Sequence, residues 1–117
     1  MKYQILKKVW NIIGVVASLI ILGGCGGDSS DQSNASHGNH EVIIENMAFN
    51  PQDLTISKGD TVTFVNKDVV PHNATEMGNI WASPDLKPGD KWQFVPDKTA
   101  EYYCTIHVVM EGKINVN

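Results

Sequence analysis

Two cysteines in 117 residues are too few for a disulfide scaffold, and the chain has no arginine at all. Cys25 follows the leading apolar segment and Cys104 lies near the other end, so a domain built from residues 41–117 holds one thiol and no internal bridge. A small exported domain without a disulfide commonly relies on another staple, and bound metal is one. All nine basic residues are lysine. Without Lys2, Lys7 and Lys8, six lysines face thirteen acids, a formal net charge of −7. That balance argues against a nucleic-acid partner and toward a basic or neutral one, although it mostly secures solubility. After residue 40 no segment carries a sustained helical period with caps, which removes helical bundles, and no internal repeat is visible.

What is present begins with a leader. "MKYQILKK" carries three lysines and no acid, and residues 9–24 are uncharged and mostly apolar. That run falls short of the roughly 20 residues a spanning helix needs, so residues 1–24 read as an export signal. "LGGC" at Leu22–Cys25 resembles a bacterial lipobox, which implies that Cys25 is lipidated and becomes the first residue of the mature chain. The alternative is an uncleaved anchor with an incidental cysteine. Either way the domain is exported and held at a membrane, facing the periplasm or the extracellular side. Residues 26–40 lack any large apolar side chain and, with Cys25, form a flexible polar tether. Fifteen such residues reach about 20 Å typically and about 50 Å when fully extended.

Residues 41–117 make one small domain with a modest core. Short alternating runs at 41–49, 54–56, 61–66, 91–95, 100–104 and 113–117 predict strands. Turn residues at 50–53, 57–60, 87–90 and 96–99 separate them. The irregular stretch 67–86 predicts a strand near 69–75 and then a longer connection. The fold class is all-β, a Greek-key sandwich or barrel. Trp81, Trp92, Met47 and Met77 are expected in core or loop packing. In "AEYYC" the period of two puts Tyr102 and Cys104 on one face and Tyr103 on the other.

Cys104, His107 and Met110 stand at i, i+3 and i+6 just past that strand. A tight loop can aim a thiolate, an imidazole and a thioether at one point. Soft sulfur with imidazole selects copper over magnesium, calcium or manganese, and two histidines, a cysteine and a weak axial methionine are the donors of electron-transfer copper sites. A second histidine would have to come from His72 in "VVPHNAT". Singly, Cys104 and Met110 would be ordinary buried side chains. A Cys–His nucleophilic dyad lacks an orienting group and a cleft here, and zinc fits poorly with a thioether and a single thiolate. His37 and His40 read as polar linker residues, with loose copper binding the alternative.

"MAFNPQDLTISKGDTVTFVNKD" (47–68), "PHN" (71–73), "YYCTIHVVM" (102–110) and "GKINVN" (112–117) resemble the cupredoxins, within the plastocyanin and amicyanin group. The two-residue gap between His107 and Met110 resembles the short amicyanin loop, while Val108 stands where amicyanins usually carry proline. The resemblance implies one type 1 copper ion bound by His72, Cys104 and His107 with Met110 axial, and Asn73 tying the two ligand loops together. It also implies an apolar electron-transfer surface at Pro71 and Val108 and a second route at Tyr103. The function it implies is a blue copper electron carrier serving redox proteins; a monomer is expected, and the acidic balance fits a basic cytochrome, with a membrane oxidoreductase the other candidate. Copper storage, delivery or sensing is the second reading. An enzyme such as a nitrite reductase or multicopper oxidase would need a further copper site with more histidines.

Overall fold

The computed structural model describes residues 36–117; the expected export signal, Cys25 and residues 26–35 of the expected tether lie outside the described residues. Strands β1 (Asn39–Glu45), β2 (Ala48–Asn50), β3 (Asp53–Ile56), β4 (Thr61–Asn66), β5 (Thr75–Glu76), β6 (Lys91–Phe94), β7 (Ala100–Tyr103) and β8 (Glu111–Val116) form two four-stranded sheets. Their orders are β2-β1-β4-β6 and β3-β8-β7-β5. β1 with β4, and β3 with β8, are parallel pairs. No tight hairpin can join a parallel pair, and every connection between β2 and β7 changes sheet, which is the all-β sandwich the alternation predicts.

Two predicted strands come out differently. The run over 41–49 is a hairpin, because Asn46 and Met47 both take positive φ (52° and 59°) and Glu45 faces Ala48. That is a type I′ turn, whose twist matches the flanking strands; asparagine tolerates it, but the usual following glycine is missing. Over 69–75 only Thr75 is in a strand, β5. Pro71 offers no N–H to a ladder, Val69 is exposed, and this stretch is held instead by single bridges, His72 to Leu86 and Thr75 to Ala82.

The sandwich also begins earlier than the tether boundary at residue 40. The Asp60 carboxylate accepts the N–H of Gly38 (2.6 Å) and of Ser57 (3.0 Å) and lies 2.9 Å from His40 Nε2. The Thr61 N–H donates to the Gly38 carbonyl, and β1 pairs with β4 from Asn39 onward. His37 lies against Gly59, whose φ of 95° suits glycine.

Between the sheets, Val42, Ile44, Phe49, Val62 and Phe64 meet Ile56, Tyr102 and Ile114, all buried. Phe64 is the hub: Phe49 and Tyr102 stand edge-on to it at 6.0 and 5.2 Å, and Trp92 and Phe94 stack at 6.1 and 6.3 Å. Fully burying a ring such as Phe49 or Phe64 stabilises the fold by about 1.5–3 kcal/mol. Trp81 and Trp92 pack against this core, whereas Met47 and Met77 are exposed at turns. Tyr102 faces Gly112 across β7 and β8, its ring occupying the place a Gly112 side chain would need.

Candidate metal centre

β7 ends at Tyr103, and Cys104, buried on the inner face beside Tyr102, opens the loop to β8. That loop is closed on itself: the Cys104 N–H donates to the Met110 carbonyl and the Met110 N–H to the His107 carbonyl, both at 3.0 Å. His107 is thereby folded back over Cys104, and the Met110 side chain is buried. His72 arrives from the long connection after β4, pinned by two backbone bonds with Leu86 (3.1 and 2.7 Å).

Three donor atoms converge. Cys104 Sγ lies 3.9 Å from His72 Nδ1 and 4.0 Å from His107 Nδ1, and the two nitrogens are 3.2 Å apart. The point equidistant from the corners of that triangle lies about 2.2 Å from each, the length of metal bonds to imidazole nitrogen and thiolate. His72 and Cys104 are fully buried; His107 is half-buried.

Neighbouring groups fix how these donors point. Asp68 Oδ2 lies 2.9 Å from His72 Nε2, so the Nε2–H donates to the carboxylate and the Nδ1 lone pair faces the centre. Asp68 also accepts the N–H of Met47 and of Val69, each at 3.0 Å. The Met47 N–H first, then His72, hold its carboxyl below the usual carboxylate range. Asn73 joins the two loops. Its N–H points at Cys104 Sγ (3.4 Å), its amide group donates to Thr105 Oγ1 (2.6 Å), and its Oδ1 accepts the Thr105 N–H (2.9 Å). Asn66 supports the other side, donating to the carbonyls of Val70 and Leu86 (2.9 and 2.8 Å). Asp68, Thr105 and Asn66 carry no local sequence signal, because only the fold brings them to the centre.

Several chain neighbours of the two histidines are apolar and exposed. Ile106, Val108 and Val109 are exposed, as are Pro71 and Val69 on the facing loop. Tyr103 lies on the outer face of its sheet, opposite Glu111 and Thr75.

One thiolate, two imidazoles and a neighbouring thioether, with no carboxylate among the three converging donors, are a copper set rather than one for a hard cation. Residues 36–117 match the family described as copper binding proteins, plastocyanin/azurin family. The chain belongs to that family. Amicyanin of Paracoccus denitrificans is 33% identical over 82 residues, 64% of this chain and 63% of that protein, a little under two thirds of the relative's length. A purple cupredoxin from Nitrosopumilus maritimus superposes with a TM-score of 0.62 at 29% identity, covering 67% of this chain and 99% of that one. A Cu-containing nitrite reductase from Thermus scotoductus SA-01 matches with a TM-score of 0.63 at 29% identity over 68% of this chain, but over only 22% of its own. The cupredoxin unit thus recurs both alone and as a minor part of a copper enzyme. In this chain His72, Cys104, His107 and Met110 are arranged as a type 1 copper site.

Proposed function

We propose that this cupredoxin is a blue copper electron carrier, held to a membrane through lipidated Cys25 on the periplasmic or extracellular side. The observation that carries the reading is the triangle of His72, Cys104 and His107 with sides of 3.2, 3.9 and 4.0 Å, already at metal-binding size. Bound copper supplies a one-electron couple, Cu(I)/Cu(II). The protein's part is to keep one geometry for both states. Asp68 holds the His72 ring, the Cys104–Met110 and Met110–His107 backbone bonds hold the loop, and Asn73 locks that loop to the other. Donors this restrained have little to rearrange when the charge changes, which favours fast transfer.

The half-buried His107, with exposed Ile106, Val108 and Val109 beside it in the loop and exposed Pro71 beside His72, is the docking and exit face for a redox protein, a cytochrome or membrane oxidoreductase among the candidates. Tyr103, next to Cys104 in the chain but outward, offers a second route. The carrier acts as a monomer. Storage or delivery is the second reading, but a delivery site has to release its ion, and two of the three donors here are fully buried. An enzyme such as a nitrite reductase or multicopper oxidase would need a further copper site with more histidines than His72 and His107.

The test is an absorption spectrum of the full chain after adding Cu(II) and then a reductant. An intense visible thiolate-to-copper band that bleaches and returns on re-oxidation supports the carrier. No band overturns it in favour of a binding module.

A further inference from the structure

The return limb of the long connection passes the centre at Ser83–Leu86. The Ser83 N–H donates to the Ala74 carbonyl, Ser83 Oγ accepts the Ala74 N–H, and Leu86 holds His72 by two backbone bonds. Between them Asp85 Oδ1 accepts from Asn73 Nδ2 at 2.9 Å.

This contact completes the amide of Asn73. Its two N–H bonds go to Asp85 Oδ1 and Thr105 Oγ1, and its oxygen accepts the Thr105 N–H and, at 3.4 Å, the Thr75 hydroxyl. A side-chain amide has no further capacity. Two of these partners act in one sense only, since a backbone N–H must donate and a carboxylate must accept. A flipped Asn73 would set oxygen against carboxylate and N–H against N–H, so Asp85 and Thr105 together permit one orientation. Asn73 is 5% exposed, while Asp85 lies at the surface. A charged group outside thus reaches, through one buried residue, the N–H that points at Cys104 Sγ.

We infer that Asp85 is a positioning residue of the copper centre: it fixes Asn73 in its single orientation and biases the bound ion toward the more positive oxidation state. The inference rests on the carrier reading. A nearby anion stabilises the higher charge, so removing it favours Cu(I).

The experiment uses the full chain with Asp85→Asn, which keeps an acceptor without charge, Asp85→Ala, which keeps neither, and Asp85→Glu. In the copper-free protein, NMR follows exchange of the Asn73 side-chain N–H with water. Asp85→Ala is expected to speed it about tenfold, the loss of one charge-assisted hydrogen bond. In the copper-loaded protein, Asp85→Asn is expected to lower the Cu(II):Cu(I) ratio about threefold at fixed applied potential, with Asp85→Glu restoring it. Unchanged exchange in Asp85→Ala, or an unchanged ratio in Asp85→Asn, overturns the assignment. If the wild-type chain gives no visible copper band, the carrier reading fails, and the copper-free exchange still decides whether Asp85 holds Asn73.

Discussion

Asp60 and Asp68 stand just before and just after β4, and their surroundings are built alike. Each carboxylate accepts two backbone N–H bonds and lies 2.9 Å from a histidine Nε2, His40 for Asp60 and His72 for Asp68. Each is held below the usual carboxylate range by those bonds. They differ in what the other ring nitrogen meets. His72 Nδ1 faces Cys104 Sγ and His107 Nδ1 in a buried pocket, whereas His40 sits half-exposed at the start of β1. One corner aims a ligand; the other pins a chain end. The same three-bond cradle becomes a copper-site element only where topology puts a second and third donor within reach.

The largest effect comes from removing the donor that His40 lacks as a neighbour. Cys104→Ser is expected to abolish the intense visible band completely, since serine offers no thiolate to copper; a surviving band would break the ligand assignment. Next is the cradle itself. Asp68→Ala is expected to weaken copper binding about 10–100-fold, the usual cost of losing the partner that orients a ligating histidine. Asp60→Ala should leave copper affinity unchanged, and if a copper titration shows equal weakening in both, the distinction between aiming and pinning is wrong. Smaller again is Met110→Leu, which should keep copper bound while raising the reduction potential, because losing a thioether donor would favour Cu(I). Voltammetry giving an unchanged potential would remove Met110 from the donor set.

The ligands were legible because their signals are local or few. Cys104, His107 and Met110 share one loop, and His72 was the remaining histidine beyond the tether. Alternation likewise exposed the strands whose one face is buried, such as β4 and β7. What could not be read is nonlocal. Asp68, Asp85 and Thr105 matter only through partners that the sandwich brings near, and no spacing announces a hydrogen bond between residues 73 and 105. The β1–β2 hairpin hid for another reason: Asn46-Met47 takes the turn conformation without glycine's advertisement. His40 looked like linker because polar composition says nothing about a carboxylate waiting on another turn.

The smallest expected effect tests the pinning corner alone. The His40 ring first, then the N–H groups of Gly38 and Ser57, lower the Asp60 pKa from 3.8 to about 2. Because the folded value is the lower one, the unfolded chain binds the proton more tightly, and stability rises with pH through this window. The contribution is therefore fully present above about pH 4 and is lost as pH falls toward about 2. Asp60→Asn has no such charge to protonate. Thermal melts of the copper-free full chain should show wild type more stable than Asp60→Asn at pH 5, with the gap closing as pH falls below 4 and gone near 2. A gap that stays constant with pH would mean that Asp60 holds Gly38 and His40 by shape rather than by charge. The likeness to the Asp68 corner would then end at its geometry.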